Sequence, residues 1–547
     1  MANRSNTLPV VSPALLSILV LATALRIWFA WDNPYTGDEV TSVLNASMYR
    51  AHYYDLISYD VRPVADYQRL LTFTGDYDLS DLVQHFITNS RGHPPLYYGI
   101  LHCVIRFIGD STLLIRMVSI LCSILSVLFI YQIAHILGGR RAACLSALFM
   151  AIAPFPIFYS MMVRPYPMAM ALSLGTTALL LKLIQTDTFD ARSPRIYVFS
   201  IFSALGFYTI YHYGLTIVFQ FTLLLFSRKW DRVHFTRLIL AGAVLSLLIA
   251  PWIITLFAHM DTVRNDTQPH NGPNESIWII VKTLVHLNFT KLFTISAITY
   301  ETPPILIRSL RAALFLSSFG LIAFGIYRVT KSPFKWSIPL AFLTYYATNL
   351  TLDLTNNIHS LSMEKLQFLP VTFSLVFIAT ALEKPFPIKN YSMHIWPFFT
   401  MLFLAGSLHI CVTKPRYEDP FTLPEIQSQV RKHSTERPYL FISNTHSERQ
   451  FFSSITVLPE HGDYFLFRRK FYPENLSLLA NLKQYDVIFL CNFFARGFDD
   501  YVYTDEELET ISAHIIQAGF VRIQPDKIDR WTGVDHLLIF TAATEIP

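Results

Sequence analysis

The sequence predicts a polytopic α-helical membrane protein that ends in a small α/β domain. Of its 547 residues, 52% are apolar and only 15% are charged, whereas soluble domains carry about 25% charged residues. Many apolar runs approach the length of about 20 residues that a helix needs to cross a bilayer. The net charge of +4 is too small to indicate a nucleic-acid partner, and the sequence contains no basic patch that could bind a phosphate backbone.

The first apolar run, Leu15 to Trp31, is predicted to be a membrane span that is retained. Its end, Trp28-Phe-Ala-Trp31, lacks the small residues of a signal-peptide cleavage site. Along the rest of the chain the same criterion identifies further spans, which gives about eleven in total. The predicted spans are 12–31, 112–137, 142–160, 167–184, 195–210, 213–227, 235–257, 304–328, 336–353, 365–382 and 391–412.

One further apolar run, Leu96 to Ile108, is too short to cross a bilayer and is interrupted by His102 and Arg106. A run of this kind is typical of a helix that lies along the membrane interface. If it does not cross, five short loops share one side of the membrane with the N-terminus, and they contain fourteen Lys or Arg against four Asp or Glu. Basic loops favour the cytoplasmic side. The five loops are 138–141, 182–195, 228–237, 328–335 and 383–389.

This topology predicts a membrane domain over residues 1–412, with outer loops at 32–111 and 258–303, and a C-terminal domain over 413–547 outside the cytoplasm. The tail contains short apolar runs that predict buried strands, and a segment whose apolar residues have helical spacing and whose first turn is acidic. Alternation of strands and a helix predicts an α/β domain. The predicted strands lie at 438–443, 485–490, 520–523 and 536–540, and the helix lies at 505–518.

Adjacent carboxylates, Asp38 and Glu39, follow the first span closely. An acid at the membrane surface is costly if it is partly desolvated, and such groups are often functional. One of them could act as general base on a hydroxyl group. The alternative is a solvated acid in a loop. A divalent metal ion near this pair is possible but is not required by the sequence.

Two outer segments contain cations that could bind a phosphate. His93-Pro94-Pro95 opens the interfacial helix, where proline is tolerated and the free N–H groups attract anions; alternatively, Tyr97 and Tyr98 are anchors at headgroup depth. Arg164-Pro165-Tyr166 lies between the third and fourth spans. Its guanidinium could hold a lipid phosphate through paired hydrogen bonds, or it could be an ordinary snorkelling arginine.

Lys365 begins the tenth span and could neutralise a phosphate or simply pair with Glu364. The histidines of the second outer loop, His259, His270 and His286, fit no standard metal spacing and are interpreted as surface residues. No glycine-rich phosphate loop or dinucleotide motif is present. The sequence therefore predicts no nucleotide cofactor.

Together these motifs resemble the membrane-embedded C-type glycosyltransferases, specifically the protein-mannosyltransferase and aminoarabinose-transferase-like group, families 39 and 83. The resemblance covers roughly residues 12–185, and in the second half it is limited to a long outer loop and Lys365-Leu-Gln-Phe-Leu-Pro370. The motifs that carry it are Gly37-Asp38-Glu39-Val40, Gly92-His93-Pro94-Pro95-Leu96-Tyr97-Tyr98, Phe107-Ile-Gly-Asp110, Arg116-Met-Val-Ser119, Gly138-Gly-Arg-Arg141, Tyr159-Ser160 and Arg164-Pro165-Tyr166.

The resemblance implies a GT-C fold and transfer of a sugar from a polyprenyl-phosphate carrier, with inversion, to a glycan, lipid or protein acceptor at the outer or lumenal membrane face. It implies that Asp38 is the general base and that Glu39 orients the acceptor or the base. His93 and Arg164 would face the carrier phosphate. A prokaryotic cytoplasmic membrane is favoured, with the endoplasmic reticulum as the alternative location.

Two departures from the family pattern stand near these residues. Met161-Met-Val163 replaces residues that are often polar, and Lys365 stands where relatives commonly have Arg. Lysine binds phosphate as a point charge and not as a fork. Tyr166, beside Arg164, is included with the substrate-binding residues.

The competing interpretation of the whole chain is a lipid or solute transporter or flippase, which predicts ionisable residues deep within spans and discontinuous helices.

Overall fold

The structure is a computed structural model of the 547-residue chain. It divides into two compact units. The helical unit comprises Met1–Trp31, Phe86–Ile100 and Ile115–Pro415, and the α/β unit comprises Asp32–His85, Leu101–Leu114 and Arg416–Pro547. The residues that the structure describes are 12–31, 33, 35–47, 61–69, 71, 77–88, 93–186, 194–227, 232–258, 305–329, 334, 336–356, 366–388, 391–413, 423–444, 451, 454–466, 479, 481–493, 503–523 and 534–543.

Helices account for most of the described residues. In chain order they are α1 (Pro13–Ala30), α2 (Gly37–Ala46), α3 (Val64–Arg69), α4 (Leu79–Thr88), α5 (Leu96–Phe107), α6 (Thr112–Ile152), α7 (Pro154–Met161), α8 (Tyr166–Thr186), α9 (Pro194–Thr209), α10 (Tyr213–Phe226), α11 (Arg232–Ala258), α12 (Ile305–Val329), α13 (Ser337–Asn356), α14 (Phe368–Leu382), α15 (Trp396–Thr413), α16 (Leu423–Ser434) and α17 (Asp505–Gln517). The strands are β1 (Arg62–Pro63), β2 (Phe386–Ile388), β3 (Tyr391–Met393), β4 (Tyr439–Ser443), β5 (Asp463–Leu466), β6 (Val487–Phe493), β7 (Phe520–Ile523) and β8 (Val534–Ala542).

Every predicted span overlaps a helix of the helical unit. Within the described part of the chain, 4 helices are long and apolar enough to cross a membrane: Pro13–Ala30, Thr112–Ile152, Tyr166–Gln185 and Ile239–Ala258. Shorter apolar helices are Leu96–Phe107, Tyr213–Phe226, Leu316–Val329, Phe368–Leu382 and Trp396–Val412. The helical membrane architecture thus agrees with the sequence, and the number of eleven spans stays a prediction.

The second and third predicted spans lie in the two segments of α6, which are separated by non-helical backbone at Gly139. Gly139 has φ 86° and ψ −173°, a conformation that a residue with a Cβ rarely adopts. Its neighbour Gly138 packs against Thr380, whose side chain would lie 3.1 Å from an added Cβ. The break therefore falls inside the predicted loop at 138–141, and it divides α6 into two helical segments.

The third predicted span, 142–160, is not one continuous helix, and this differs from the prediction. Ala153 is extended, with ψ 139°, and separates α6 from α7. The residue before a proline is disfavoured in the helical conformation, and Pro154 follows. Because Pro154 and Pro156 have no N–H, they cannot donate to the carbonyls of Met150 and Ile152, four residues earlier.

Other helices supply the donors that the two prolines remove. The fully buried Arg26 of α1 donates to the carbonyls of Met150 and Ala151, both at 3.1 Å, and its Nε donates to Ser123 Oγ at 2.8 Å. Ser407 of α15 donates to the carbonyl of Ile152. Unpaired carbonyls are especially costly where no water is present. Arg26 is therefore a cap for the end of α6, where a cation also complements the helix dipole.

Three of the basic loops assigned to one membrane side meet in the helical unit. Glu383, just after α14, lies 3.8 Å from Arg328 at the end of α12, and Arg328 also donates to the carbonyl of Thr380 at 3.2 Å. Burial raises the pKa of Glu383, and the charges of Arg328, Lys384 and Arg141 act in the opposite direction. Arg141, Arg328 and Glu383, one from each of the predicted loops 138–141, 328–335 and 383–389, therefore lie near one another.

The α/β unit is built on a six-stranded sheet with the order β1-β5-β4-β6-β8-β7. Strands β5, β4 and β6 are parallel, and β8 is antiparallel to both β6 and β7. Tyr439–Ser443 is buried along its whole length, as expected for a parallel strand that is covered on both faces. The hydrophobic core of the α/β unit includes Leu440, Ile488 and Ile511.

Each strand and the helix predicted in the tail are present, whereas β5 and α16 were not predicted. The edge strand β1 comes from the first outer loop, with Arg62 opposite Tyr464 of β5. Gln68 of α3 donates to the carbonyls of Ile455 and Leu458, at 2.9 and 2.8 Å. Part of the predicted loop 32–111 thus folds with residues of the tail, and the functional division at residue 412 and the location of the tail stay predictions.

Candidate active site

The acidic pair begins helix α2 in the α/β unit. Thr36 is the N-cap, and a capping box is formed: the backbone N–H of Thr36 donates to Glu39 Oε2 at 2.8 Å, and Thr36 Oγ1 accepts from the N–H of Glu39 at 3.4 Å. Asp38 is 1% exposed and Glu39 is fully buried. The interpretation of the pair as solvated loop acids is therefore wrong.

The two acids differ in whether their carboxylates take part in the helix cap. Glu39 is committed to the capping box, which satisfies two backbone donors at the start of the helix. Asp38 is not part of that cap. Both acids stand in the first turn of α2, where the positive end of the helix dipole stabilises a carboxylate. The geometry thus gives Glu39 a structural role and leaves Asp38 as the better candidate for the base.

The polar residues of α5 that make it a poor membrane span are used inside the α/β unit. The ring Nδ1 of His102 lies 2.8 Å from the carbonyl of Ala46 at the end of α2, so Nδ1 carries the hydrogen and donates. Arg106 donates to the carbonyl of Tyr77 at 3.1 Å. These bonds explain the polar interruptions of the apolar run, and they agree with a helix that does not cross the membrane.

His93 precedes α5 in the helical unit, and its ring lies 5.8 Å from that of Tyr98. Tyr98 also stacks on Phe86 at 5.0 Å. Both Tyr97 and Tyr98 are fully buried in the protein. They pack against protein side chains, so the alternative of two tyrosine anchors at headgroup depth is wrong.

A chain of hydrogen bonds connects the first turn of α5 with the segment that carries Arg164. The Tyr97 hydroxyl lies 3.0 Å from Ser119 Oγ of α6, and Ser119 Oγ donates to the carbonyl of Met162 at 2.6 Å. Because Ser119 has one hydroxyl hydrogen, the Tyr97 hydroxyl is the donor in the first bond. The same carbonyl of Met162 accepts from the backbone N–H of Arg164 at 2.7 Å.

Arg164 lies in the non-helical segment between α7 and α8 and is 4% exposed. Its guanidinium carbon lies 5.7 Å from the centre of the Tyr166 ring, a distance at which a cation is attracted to an aromatic face. Tyr166 in turn packs edge-on against Tyr159, at 6.2 Å. A snorkelling arginine would be exposed, so that alternative is wrong for this residue.

The apolar triplet Met161-Met-Val163, noted as a departure from the family pattern, is buried. Its side chains pack inside the helical unit, and the polar contacts come from the carbonyl of Met162. Sequence reasoning missed this role because a backbone group has no residue signature. It also missed Ser119, whose signal was its position in the motif Arg116-Met-Val-Ser119.

Lys365 and Glu364 lie outside the described residues. The chain that follows is described: Leu366 accepts a hydrogen bond at its carbonyl from the Tyr345 hydroxyl of α13 at 3.3 Å, and Gln367 is buried at the N-cap of α14. In the described part of the chain, no three His, Cys, Asp or Glu residues are grouped so as to hold a metal ion.

Within the helical unit, the structure thus connects the segments of three of the predicted site residues, His93, Arg164 and Tyr166. Asp38 and Glu39 stand together in the α/β unit.

A family model described as dolichyl-phosphate-mannose-protein mannosyltransferase matches residues 92–255, which include the motifs at His93, Ser119 and Arg164. For this part of the chain, the match confirms the resemblance that the motifs predicted.

Solved structures that are similar to the chain include ArnT and the oligosaccharyltransferase AglB. ArnT from Cupriavidus metallidurans, bound to undecaprenyl phosphate, is 12% identical with a TM-score of 0.48, over 96% of this chain and 97% of that chain. AglB, an oligosaccharyltransferase from Archaeoglobus fulgidus in complex with an inhibitory peptide and a dolichol-phosphate, is 11% identical with a TM-score of 0.45, over 97% and 74%. At these TM-scores neither likeness supports an inference about the site. No curated protein sequence matches the chain.

Proposed function

We propose that the chain is an inverting glycosyltransferase that moves a hexosyl or pentosyl group from a polyprenyl-phosphate donor to an acceptor at the outer or lumenal face of a membrane. The acceptor is a glycan, a lipid or a protein. The observation that carries the proposal is the family match over residues 92–255. It is supported by the hydrogen bonds from Tyr97 through Ser119 to the segment of Arg164, because they connect separate motifs of that region.

The proposed reaction is a single displacement. The hydroxyl oxygen of the acceptor attacks the anomeric carbon of the sugar while Asp38 takes its proton. The bond between the anomeric carbon and the phosphate oxygen breaks, and its electron pair leaves with the polyprenyl phosphate. His93, Arg164 and Lys365 would offset the charge that develops there, with charge-assisted bonds of about 1.5–3 kcal/mol each. A lipid-linked donor can reach such a site without leaving the bilayer.

The second candidate function is a transporter or flippase, and two observations favour it. The helix is interrupted at Ala153, and Arg26 and Arg116 are fully buried in the helical unit. Both features occur in transporters. However, Arg26 caps the interrupted helix, and Arg116 donates to the carbonyl of Ala30 at the end of α1 at 3.1 Å. Structural bonds therefore account for both cations, and the transferase remains the better candidate.

The test uses purified full-length protein in detergent with a panel of labelled polyprenyl-phosphate hexoses and pentoses. Acceptors are supplied as lipid, glycan and protein extracts from cells that contain the protein naturally. We expect transfer of label by the wild type and a loss of at least about 100-fold in Asp38→Asn, which is typical of removing a general base. Ser47→Ala, at the end of α2, is the matched control. Transfer by Asp38→Asn at the wild-type rate would refute the assignment, and no sugar release from any donor would favour the transporter.

A further inference from the structure

The helix that carries the acidic pair has a second polar group with no assigned role. Asn45, in the last turn of α2, is fully buried. Among the described residues, neither its Nδ2 nor its Oδ1 has a hydrogen-bond partner. A buried amide that makes no hydrogen bond destabilises a folded protein, so each such group requires an explanation.

Local hydroxyl groups do not satisfy Asn45. Ser42 Oγ donates to the carbonyl of Asp38 at 3.2 Å, and Ser47 Oγ donates to the carbonyl of Val43 at 2.9 Å. Asn45 also begins the triplet Asn45-Ala-Ser47, which has the pattern of a glycosylation acceptor. Because the side chain is buried within a helix, glycosylation of the folded protein does not explain it.

The position of Asn45 on α2 relates it to Asp38. Residues seven apart lie on the same face of a helix, so Asp38 and Asn45 share one face, with Thr41 and Ser42 between them. All four side chains on this polar face are buried. The apolar residues Val40, Val43 and Leu44 lie elsewhere around the helix, and Glu39 is held in the capping box.

The charge of this face restricts the chemistry of a ligand. The face contains an amide, two hydroxyls and a carboxylate, and it has no cation, so it does not suit the phosphate of a carrier lipid. An amide offers two N–H donors and an acceptor oxygen, which suits an uncharged group with neighbouring hydroxyls. Asp38 and Asn45 are about 10 Å apart along the helix axis, so they cannot both bond to one reacting hydroxyl.

We infer that Asn45 is a substrate-binding residue whose amide hydrogen-bonds an uncharged, hydroxyl-bearing unit of the substrate, at a point other than the hydroxyl that reacts at Asp38. The inference rests on the proposed transferase function. That unit belongs either to the donor sugar or to the acceptor. In both cases the residue contributes to binding and not to the chemical step.

The experiment compares wild type with Asn45→Leu, which is similar in size and has no polar atoms, and with Leu44→Ala on the apolar part of α2. The donor and acceptor are the pair that gives transfer in the assay described above, and each is titrated while the other is saturating. We expect Asn45→Leu to raise one KM about 3- to 10-fold, the loss of one neutral hydrogen bond, with kcat little changed. The substrate whose KM rises identifies the ligand.

Thermal unfolding in detergent separates binding from structure. Because Asn45→Leu removes an amide that makes no internal bond, its Tm should equal or exceed that of the wild type, whereas Leu44→Ala should lower Tm and leave both KM values unchanged. Unchanged KM values in Asn45→Leu would overturn the inference, and so would a Tm that falls as it does in Leu44→Ala or a variant that does not fold. A wild type that transfers no sugar would instead overturn the proposed function, and this inference with it.

Discussion

Arg26 provides the most direct test of how the helical unit is held together. Its two bonds to the carbonyls of Met150 and Ala151 replace donors at the end of α6, where Pro154 interrupts the helix. The change to test is Arg26→Met, which keeps much of the apolar stem and removes every donor. We expect it to weaken the helical unit and not only the site.

The magnitude follows from the bonds. A hydrogen bond to a charged group contributes about 1.5–3 kcal/mol net, and the two bonds to the carbonyls of Met150 and Ala151 therefore amount to about 3–6 kcal/mol. Met150 and Ala151 are buried, so their carbonyls are left without donors and relaxation recovers little of this free energy. Arg26→Lys retains the charge but offers a compact donor group, and we expect about half of the loss.

The assay is thermal unfolding of purified protein in detergent, read as Tm and as the half-life of irreversible inactivation. Arg140→Met is the control, because Arg140 is an exposed arginine on the same helix, α6. We expect Arg26→Met to lower Tm several times more than Arg140→Met does. Equal effects of the two changes would refute the account of Arg26 as a helix cap.

Two further predictions concern the carboxylates. Glu39→Gln should keep both Tm and the transfer rate close to wild type, because glutamine also forms a capping box. Glu39→Ala should lower the free energy of unfolding by about 0.3–1.5 kcal/mol. A slow but stable Glu39→Gln protein would show that this carboxylate acts on the substrate. Burial raises the pKa of Glu383, so the folded protein holds its proton to higher pH than the unfolded chain does. Stability should therefore decline as pH rises from the usual glutamate pKa through the raised value, and Glu383→Gln should remove that part of the pH dependence of Tm; an unchanged pH profile in the variant would contradict it.

The apolar helices of the helical unit could be predicted because apolar length identifies them, but their interruption could not be predicted by the same criterion. The run 142–160 is apolar throughout, and hydropathy takes no account of hydrogen bonding. Pro154 and Pro156 were the available signal, since neither has an N–H that could donate to a carbonyl in the turn before it. What the sequence could not supply is the compensation, because Arg26 and Ser407 lie far along the chain from that turn.

In the α/β unit, too, some elements could be predicted from the sequence and others could not. Strands β4, β6, β7 and β8 have apolar runs that predict them, whereas β1 is the two residues Arg62 and Pro63. No local pattern marks them as a strand, and they are ordered by pairing with β5, about 400 residues further along the chain. Membership in a sheet is a property of both partners, so a short edge strand of this kind is visible only in the fold.

The acidic pair shows how local structure sharpens an assignment made from a motif. By sequence alone Asp38 and Glu39 are adjacent and chemically alike, and only the resemblance separates their roles. The spacing from Thr36 to Glu39 is that of a capping box, and the structure forms it with a bond of 2.8 Å to the carboxylate of Glu39. A carboxylate that accepts a bond from a backbone N–H at the start of its own helix is fixed in position by that bond. The assignment of the base to Asp38 therefore has a physical argument that does not depend on the resemblance, and the comparison of Asp38→Asn with Glu39→Gln tests the two acids against each other in the same helix turn.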